Sequence, residues 1–412
     1  MATPLRPLVL RSSPIPRAIV SRSAQCQRLA PHRQWRRSLH NAPISQPPAP
    51  PDYAFAFDID GVLLRSSAAL PGATKALTYL QSKRIPFILL TNGGGKSEQE
   101  RVADLQDKLG VPLSTSNFIQ SHTPFADMTH HHDQTVLVAG GDRDKCQRVA
   151  EGYGFKSVVT PGDILTAYPD IWPFAKVFRD YYSSFAKPLP HPIATDITHD
   201  LTSRLKIDAI FVYNDPRDWG LDASIILDTL LSHAGYIGTL SSKNGDTSLP
   251  NNGYLQDSPP PLYYSNPDLW WASSYHASRL GQGGFAAAFS GLWAAATNGA
   301  ALTNTQTFGK PHQGTYEFAE RILMRYRKGL VGQVGLNAPL RRVFMVGDNP
   351  ESDIKGANRY KSGSGVRWSS VLVKTGVWRE GTAPSEASEY TVDGVWDAVR
   401  LGIEEAGGRV EE

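Results

Sequence analysis

The chain is short of cysteine and of long apolar runs, and both absences narrow the kinds of protein it can be. Only Cys26 and Cys146 occur in 412 residues, so a disulfide-stapled extracellular scaffold is excluded and a reducing compartment is favoured. The most apolar stretch, from Phe285 to Ala296, is interrupted by Ser290 and Gly291. A membrane-spanning helix needs about 20 mainly apolar residues, so the sequence predicts no transmembrane segment.

Acidic residues are absent from the first 51 residues, which carry eight arginines and ten of the 30 prolines. An arginine- and serine-rich, acid-free segment without a continuous apolar core is typical of a mitochondrial transit peptide. We therefore expect residues 1–51 to be a cleaved presequence with a proline-rich linker, and the mature protein to lie in the mitochondrial matrix. A merely disordered basic tail is the alternative.

When residues 1–51, the leader, are left out, the net charge of the remaining chain is negative. The whole chain has a formal charge of +3, but the residues after the leader carry 34 basic and 39 acidic side chains. Binding to a phosphate backbone needs a dense basic patch, so the acidic body argues against nucleic acid as a partner. About 360 residues are too many for one comfortable core and favour two domains. The sequence leaves homo-oligomer formation open.

Apolar runs alternate with helical patterns along the body of the chain. In the first part we expect strands at 53–57 and 85–90, with helices at 72–83 and 97–109. In the middle we expect strands at 135–139, 155–159, 207–213 and 236–240. This order predicts parallel sheets covered by helices. The predicted architecture is an α/β core of residues 52–114 and 264–412, interrupted by a second α/β domain of residues 115–263.

Acidic and phosphate-binding residue types follow the predicted strands. They occur in Asp58-Ile59-Asp60-Gly61, Thr91-Asn92, Phe308-Gly309-Lys310-Pro311, and Gly347-Asp348 with the later Asp353. Because open α/β sheets bind ligands at the carboxyl ends of their strands, we expect these side chains to converge. Converging carboxylates repel by about 4 kcal/mol per close pair at an effective dielectric near 20. A divalent cation relieves that repulsion, and oxygen-only ligands favour Mg²⁺.

The order of these segments resembles the haloacid dehalogenase (HAD) superfamily of phosphohydrolases. The resemblance implies that Asp58 is a nucleophile forming an aspartyl-phosphate and that Asp60 is the general acid and base. It implies phosphate binding by Thr91, Asn92 and Lys310, and Mg²⁺ binding by Asp58, Asp60 through its carbonyl, and Asp348, with support from Asp353. An acid at position 60 favours phosphatase over dehalogenase chemistry, because an alkoxide leaving group needs a proton and a halide does not.

The 218 residues between Thr91 and Lys310 leave room for an inserted cap domain. Ser265-Asn266-Pro267-Asp268 resembles the N-P-D turn of class IIA enzymes such as 4-nitrophenylphosphatase and NagD. The resemblance therefore implies a HAD-like (Rossmannoid) parallel-sheet core with an α/β class IIA cap. The segments FAFDIDGVLLR and VGDNPESDIKGAN further resemble the mitochondrial cat eye syndrome critical region protein 5 group. A tightly covering cap implies a small phosphorylated metabolite as substrate.

Other functions compete with the phosphatase prediction. A HAD-fold protein that binds without catalysis, as a mitochondrial scaffold or sensor, is one alternative. Phosphotransfer to an acceptor other than water, for example in phospholipid precursor metabolism, is another that the sequence does not separate from hydrolysis. A nucleotide-binding P-loop at Gly93-Gly94-Gly95-Lys96-Ser97 is disfavoured, because Leu90 occupies the position of a required glycine.

Four further motifs are predicted to have structural roles. His130-His131-His132 is expected in an exposed loop, since three adjacent side chains point in different directions and do not chelate from one face. Trp270-Trp271 is expected in the core or at a domain interface, and Gly281-Gln282-Gly283-Gly284 in a turn between helices. Cys146 is expected in a helix, without a catalytic partner.

Overall fold

The computed structural model describes residues 51–411 except 175, 177, 196, 198, 199, 272–274, 276, 278, 333–337, 379, 380 and 382. All but the last residue of the predicted transit peptide, 1–51, lies outside the described residues. Within them, no helix is both long and apolar enough to cross a membrane.

The strands, in chain order, are β1 (Tyr53–Phe57), β2 (Leu64–Arg65), β3 (Ala68–Ala69), β4 (Phe87–Leu90), β5 (Phe118–Ile119), β6 (Thr135–Ala139), β7 (Ser157–Val159), β8 (Ala209–Val212), β9 (Leu262–Tyr264), β10 (Trp270–Trp271), β11 (Arg279–Leu280), β12 (Thr305–Thr307), β13 (Arg342–Gly347), β14 (Arg367–Val373) and β15 (Tyr390–Val392). The α-helices are α1 (Ala73–Ser82), α2 (Glu98–Leu109), α3 (Lys145–Gly152), α4 (Pro161–Ala167), α5 (Arg179–Ser183), α6 (Trp219–Leu231), α7 (Gln282–Ala296), α8 (Gln313–Val331), α9 (Lys355–Arg359) and α10 (Val395–Glu405).

Six strands form a parallel sheet in the order β15-β14-β13-β1-β4-β5. The side chains of β1 alternate between two apolar clusters, with Phe55 and Phe57 on one face and Ala54 and Ala56 on the other. Residues of α1 and α10 belong to the phenylalanine cluster, and residues of α8 and α9 to the alanine cluster. Burying one phenylalanine contributes about 1.5–3 kcal/mol, so helices are held on both faces. This confirms the predicted parallel sheet.

Five strands form a second parallel sheet in the order β12-β9-β8-β6-β7. Leu137 and Ala139 of β6 face an apolar cluster that includes residues of α4, α6 and α7. Val136 and Val138 face a separate cluster that includes residues of α3. The predicted second α/β unit is therefore present, again with helices on both faces.

The structure corrects one predicted strand of this unit. No strand forms at 236–240, where Tyr236 makes only an isolated bridge to Lys206. Gly235 and Gly238, with φ of 88° and 91°, turn the chain there. Left-handed backbone of this kind interrupts extended pairing, so the apolar pattern alone was misleading.

Two strands of the second sheet and one helix packed on it are not indicated by the sequence patterns. Strands β9 and β12 have three residues each, too few for a visible alternation. Helix α7 contains no charged residue, so it lacks the polar face that marks an amphipathic helix. Its buried Phe285, Phe289 and Trp293 recur every four residues. Because these elements join the second sheet, we propose that its lobe extends to Thr307 rather than ending at residue 263.

Three further sequence predictions are wrong in whole or in part. Trp270 and Trp271 lie in an antiparallel hairpin with β11 and are 55% and 49% exposed, not buried. Gly281 directly precedes α7 and follows this hairpin, so no helix–helix turn forms. His131 is buried against Tyr263 rather than exposed, whereas Cys146 is buried in α3 as predicted.

Candidate active site

The carboxyl ends of β1 and β13 bring two acidic segments together. These strands are neighbours with Phe57 opposite Val346, and the Asp58 N–H donates to the Val346 carbonyl over 2.9 Å. Asp58 and Asp348 follow them directly in the chain. Carboxylate oxygens of Asp58, Asp348 and Asp353 lie within 4.8 Å of one another, and all three residues are buried. The structure thus joins three of the four predicted acids.

Lys310 reaches this cluster from the loop between β12 and α8. Its side chain is 1% exposed, and its Nζ lies 2.6 Å from Asp58 Oδ1 and 2.6 Å from Asp353 Oδ1. A buried ammonium is tolerated only when it is paired and hydrogen-bonded. The predicted lysine is therefore placed as a counter-charge shared by two carboxylates.

Asn92 fixes the backbone that carries Lys310. The Asn92 Oδ1 accepts the Lys310 N–H over 2.7 Å, and its Nδ2 donates to the Lys310 carbonyl over 2.9 Å. The same Nδ2 lies 3.1 Å from both oxygens of Asp268, a residue of the N-P-D turn. Burial raises the pKa of Asp268 to about 6 despite this hydrogen bond. The side chain of Asn92 is thus engaged by protein groups, a positioning contact that the sequence did not indicate.

Asp353 holds the loop after β13 as well as Lys310. Its Oδ2 accepts the N–H groups of Asp348 and Asn349, each over 3.1 Å. A Cβ on Gly347 would lie 2.2 Å from the Asp353 Cβ, so only glycine leaves room for this side chain. The two oxygens of Asp353 therefore have separate structural partners.

Two glycines surround the carboxylate of Asp348. A Cβ on Gly376 would lie 1.8 Å from Asp348 Oδ2, and a Cβ on Gly61 would lie 2.4 Å from it. The Val377 N–H donates to the same oxygen over 2.7 Å. The sequence analysis assigned no role to Gly376. Its position three residues after β14 is a signal that could have suggested one, because ligand sites lie beyond the carboxyl ends of strands.

Burial is the largest influence on the titration of the cluster. It raises the pKa of Asp58 well above its usual range, although Lys310 opposes the shift. Burial and then the neighbouring Asp353 raise the pKa of Asp348 to about 7. Burial acts to lower the pKa of Lys310, but the carboxylates of Asp353 and Asp58 together raise it and keep the ammonium charged. When all three acids are ionised, their combined negative charge exceeds the single positive charge of Lys310.

The donor set fits a hard divalent cation. It consists of carboxylate oxygens in a buried group with excess negative charge, which are the ligands and the charge that Mg²⁺ and Ca²⁺ prefer. Asp58 and Asp348 could act as ligands directly, since Asp353 is engaged by Lys310 and two backbone N–H groups. The cluster can thus combine a metal ion, a carboxylate nucleophile and a fixed ammonium.

Asp60 and Thr91 follow β1 and β4, which are neighbouring strands of the first sheet. The Asp60 side chain is 58% exposed, with Arg101 Nη2 3.6 Å from its Oδ2, so its carboxylate is open to solvent. Thr91 follows β4 and is buried, and its Oγ1 accepts the Gly93 N–H over 3.0 Å. The Thr91 hydroxyl hydrogen is therefore left to donate to another group.

Comparison with known proteins places the chain in a family. A family model described as haloacid dehalogenase-like hydrolase matches residues 55–156, and a HAD-hydrolase-like model matches residues 307–398. The mitochondrial hydrolase YKR070W of Saccharomyces cerevisiae is 39% identical over 367 residues, which cover 85% of this chain and 95% of that protein. A cardiolipin synthase (CMP-forming)/mitochondrial hydrolase fusion protein of Schizosaccharomyces pombe is 40% identical over 85% of this chain. The match spans 53% of that longer protein.

Solved structures show the same fold at low sequence identity. A putative NagD protein has a TM-score of 0.51 with 16% identity, covering 85% of this chain and 98% of that one. A 4-nitrophenylphosphatase of Thermotoga maritima has a TM-score of 0.50 with 16% identity, covering 84% and 96%. The chain therefore belongs to the haloacid dehalogenase-like hydrolases and has the class IIA fold of that family.

Proposed function

We propose that the protein is a Mg²⁺-dependent phosphatase that hydrolyses a small phosphomonoester through an aspartyl-phosphate on Asp58. The observation that carries this proposal is the buried Lys310 ammonium, held between Asp58 and Asp353 with Asp348 in the same cluster. A fixed positive charge beside a carboxylate nucleophile stabilises the negative charge of a transferring phosphoryl group.

In the first half of the reaction, a carboxylate oxygen of Asp58 attacks phosphorus and the bond from phosphorus to the leaving oxygen breaks. The carboxyl group of Asp60 donates its proton to that oxygen, and the alcohol departs. The exposed side of Asp60 suits a proton donor that meets the leaving group from solvent. Thr91 Oγ1 and Lys310 Nζ donate hydrogen bonds to the phosphoryl oxygens.

In the second half, the Asp60 carboxylate takes a proton from a water molecule whose oxygen attacks phosphorus. The bond between phosphorus and Asp58 breaks, so inorganic phosphate leaves and the carboxylate is restored. Asp58, Asp348 and the Asp60 carbonyl would hold Mg²⁺, and Asp353 would fix the loop that carries Asp348. The bound ion would neutralise negative charge on the phosphoryl group.

The fusion relative favours one substrate class for the first tests. In Schizosaccharomyces pombe a cardiolipin synthase and a mitochondrial hydrolase form one protein. Phosphomonoesters of phospholipid precursors are therefore the first candidate substrates to assay. Transfer of the phosphoryl group to an alcohol rather than water is the second candidate reaction. Both begin with the same attack by Asp58.

Release of phosphate by the full-length protein tests the proposal. Phospholipid-precursor, glycerol and sugar phosphomonoesters would be assayed with Mg²⁺ or with EDTA, and with an added alcohol to detect transfer. We expect Asp58→Asn to lower turnover by about 10³-fold or more, because the nucleophile is lost. Asp107→Asn, at an exposed position of α2, should leave turnover unchanged. If the wild type releases phosphate no faster than Asp58→Asn from any of these esters, the result would instead support a binding role.

We also propose that the protein works in the mitochondrial matrix after removal of a presequence within residues 1–51. The support is the composition of this segment and the mitochondrial names of both relatives. Deleting residues 1–51 from a fluorescent fusion should abolish import into mitochondria. Import that persists after the deletion would contradict the proposal.

A further inference from the structure

The hairpin of β10 and β11 exposes large apolar side chains to solvent. Trp270 and Trp271 are 55% and 49% exposed, and the neighbouring Leu269 and Leu280 are 44% and 47% exposed. We call these four residues the hairpin patch. Single exposed apolar side chains are normal on a protein surface, but a group of them marks a site of interaction with a protein or a membrane.

The two tryptophans lie on opposite faces of the hairpin. Successive side chains of a strand point to opposite sides, and the antiparallel register pairs Trp270 with Leu280 and Trp271 with Arg279. Each face therefore carries one tryptophan that is about half exposed. A flat protein partner would cover one face and leave the other in water, whereas a fluid layer that surrounds the hairpin covers both.

Acidic side chains are missing from the stretch of sequence that contains the hairpin patch. Residues 269–316 include no Asp or Glu, although residues 52–412 carry 39 acidic and 34 basic side chains. Arg279 lies in the hairpin itself, with its guanidinium 4.6 Å from the centroid of the Tyr275 ring. Anionic lipid headgroups attract arginine and repel carboxylates. The local charge therefore suits a lipid surface, although the body of the protein is acidic.

Helix α7, which follows the hairpin after Gly281, also has an uncharged exposed face. Its exposed positions are occupied by alanine, serine, glycine and leucine, and Leu292 is 51% exposed. Helix surfaces that face water normally carry charged and polar residues. A Cβ on Gly284 would lie 3.1 Å from Leu280 Cδ2, so the first turn of α7 contacts the hairpin patch. The uncharged surface therefore extends from the hairpin to the helix.

The base of the hairpin is fixed to the rest of the protein. The Gly281 N–H donates to the Leu269 carbonyl over 2.9 Å, and the Gly283 N–H donates to the Asp268 carbonyl over 3.0 Å. The Asp268 carboxylate in turn accepts a hydrogen bond from Asn92, the residue that holds the active-site lysine loop. The two tryptophans thus project from a base that is hydrogen-bonded to the framework of the active site.

We propose that the hairpin patch inserts into the headgroup region of a lipid bilayer and docks the protein on a membrane surface. Tryptophan is enriched in this region, because its ring is apolar and its indole N–H finds hydrogen-bond partners there. Lipid surrounds an inserted hairpin on both faces, as the placement of Trp270 and Trp271 requires. Arg279 would lie at the level of the lipid phosphates, with its aliphatic stem beside the tryptophan.

Flotation of the full-length protein with vesicles tests the proposal. The vesicles contain phosphatidylcholine alone or phosphatidylcholine with phosphatidylglycerol. We expect the Trp270→Ser/Trp271→Ser variant to bind about tenfold more weakly than the wild type, or weaker still, because most of the apolar area of the patch is lost. Leu240→Ser, at a 67% exposed position outside the patch, should float like the wild type. The arginine-rich leader is common to all variants, and neutral vesicles minimise its attraction to lipid.

Quenching of tryptophan fluorescence by lipids with brominated acyl chains shows whether the hairpin itself enters the bilayer. The Trp270→Phe/Trp271→Phe variant keeps an aromatic patch but lacks the two fluorescent rings. We expect this variant to float like the wild type and to show less quenching, because the remaining tryptophans are the same in both proteins.

Weaker flotation of the serine variant with either kind of vesicle, together with reduced quenching in the phenylalanine variant, supports the proposal. Equal flotation of the wild type and the serine variant with both kinds of vesicle overturns it, as does a complete lack of flotation or equal quenching. An oligomer that dissociates in the serine variant without a change in flotation would assign the patch to a second copy of the chain. Thermal unfolding of each variant separates lost binding from lost folding. Since flotation requires no turnover, its failure leaves the proposed phosphatase activity to its own test.

Discussion

Two groups of carboxylates follow strands of the two parallel sheets, but among the described residues only the first has a buried ammonium that contacts two of its acids. In the first sheet, Lys310 lies between Asp58 and Asp353, and backbone N–H groups hold Asp353 and Asp348. In the second, Asp218 and Asp222 line a cavity together with Arg143 and Arg217, but Arg217 donates to Asp142 and the Asp218 Oδ2 has no partner among the described residues. A strand-end acid cluster is therefore suited to catalysis by the groups that fix its charges, and not by its acids alone.

The largest effect is expected from removing the Lys310 ammonium, which is the cation of the first acid cluster. In Lys310→Met, Asp58 and Asp353 lose their shared counter-charge, and the transferring phosphoryl group loses a fixed donor. We expect turnover to fall by about 10²–10³-fold and the free energy of unfolding to fall by about 3–5 kcal/mol. Phosphate release and urea unfolding measure the two effects.

Lys108→Met provides the matched control, because Lys108 makes a partly exposed ion pair with Asp104 that contributes about 0–1 kcal/mol. A Lys310→Met variant as stable and as active as Lys108→Met would remove the distinction between the two acid clusters.

Crowding the Asp348 carboxylate should have the next largest effect. A methyl group at Gly376 would overlap Asp348 Oδ2, so Gly376→Ala must displace either the loop or the carboxylate. We expect Mg²⁺ activation to require about 10–100-fold more Mg²⁺, as is typical when groups that orient a metal ligand are disturbed. Gly363→Ala, where no atom lies within 4 Å of the added carbon, should leave the Mg²⁺ dependence unchanged. Activation curves that coincide for the two variants would show that Asp348 tolerates displacement.

The sequence allowed the first sheet and its acids to be predicted because each acid follows an apolar strand. Asp58 and Asp348 follow β1 and β13, and parallel strands leave their carboxyl ends at one edge. Lys310 was singled out by its charge and its position in the sequence, and the resemblance assigned it to phosphate binding. Its backbone is held by Asn92, 218 residues earlier in the chain. That contact has no local sequence pattern, because it forms only in the folded chain.

The second sheet was harder to predict. Its strands β9 and β12 have only three residues each, and α7 is apolar without polar periodicity, so the sequence pattern indicates none of these elements. The open acceptors at Gln147 and Asp218 are invisible in the sequence, since polar residues after a strand usually face solvent. Their lack of partners is a property of the packed structure.

The smallest expected effect concerns the pH dependence of folding in the second cluster. Burial, then Asp218, raises the folded-state pKa of Asp222 to about 8, whereas an unfolded aspartate titrates near 3.9. Between these values the folded protein holds a proton that the unfolded chain releases, so wild-type stability falls as pH rises through this window. The amide of the Asp222→Asn variant does not titrate, so this contribution is absent from it. We expect Asp222→Asn to gain about 2–3 kcal/mol relative to wild type from pH 5 to pH 7, measured by urea unfolding. Parallel stability curves for the two proteins would mean that Asp222 is charged in the fold, and the contrast with the lysine-paired cluster would disappear.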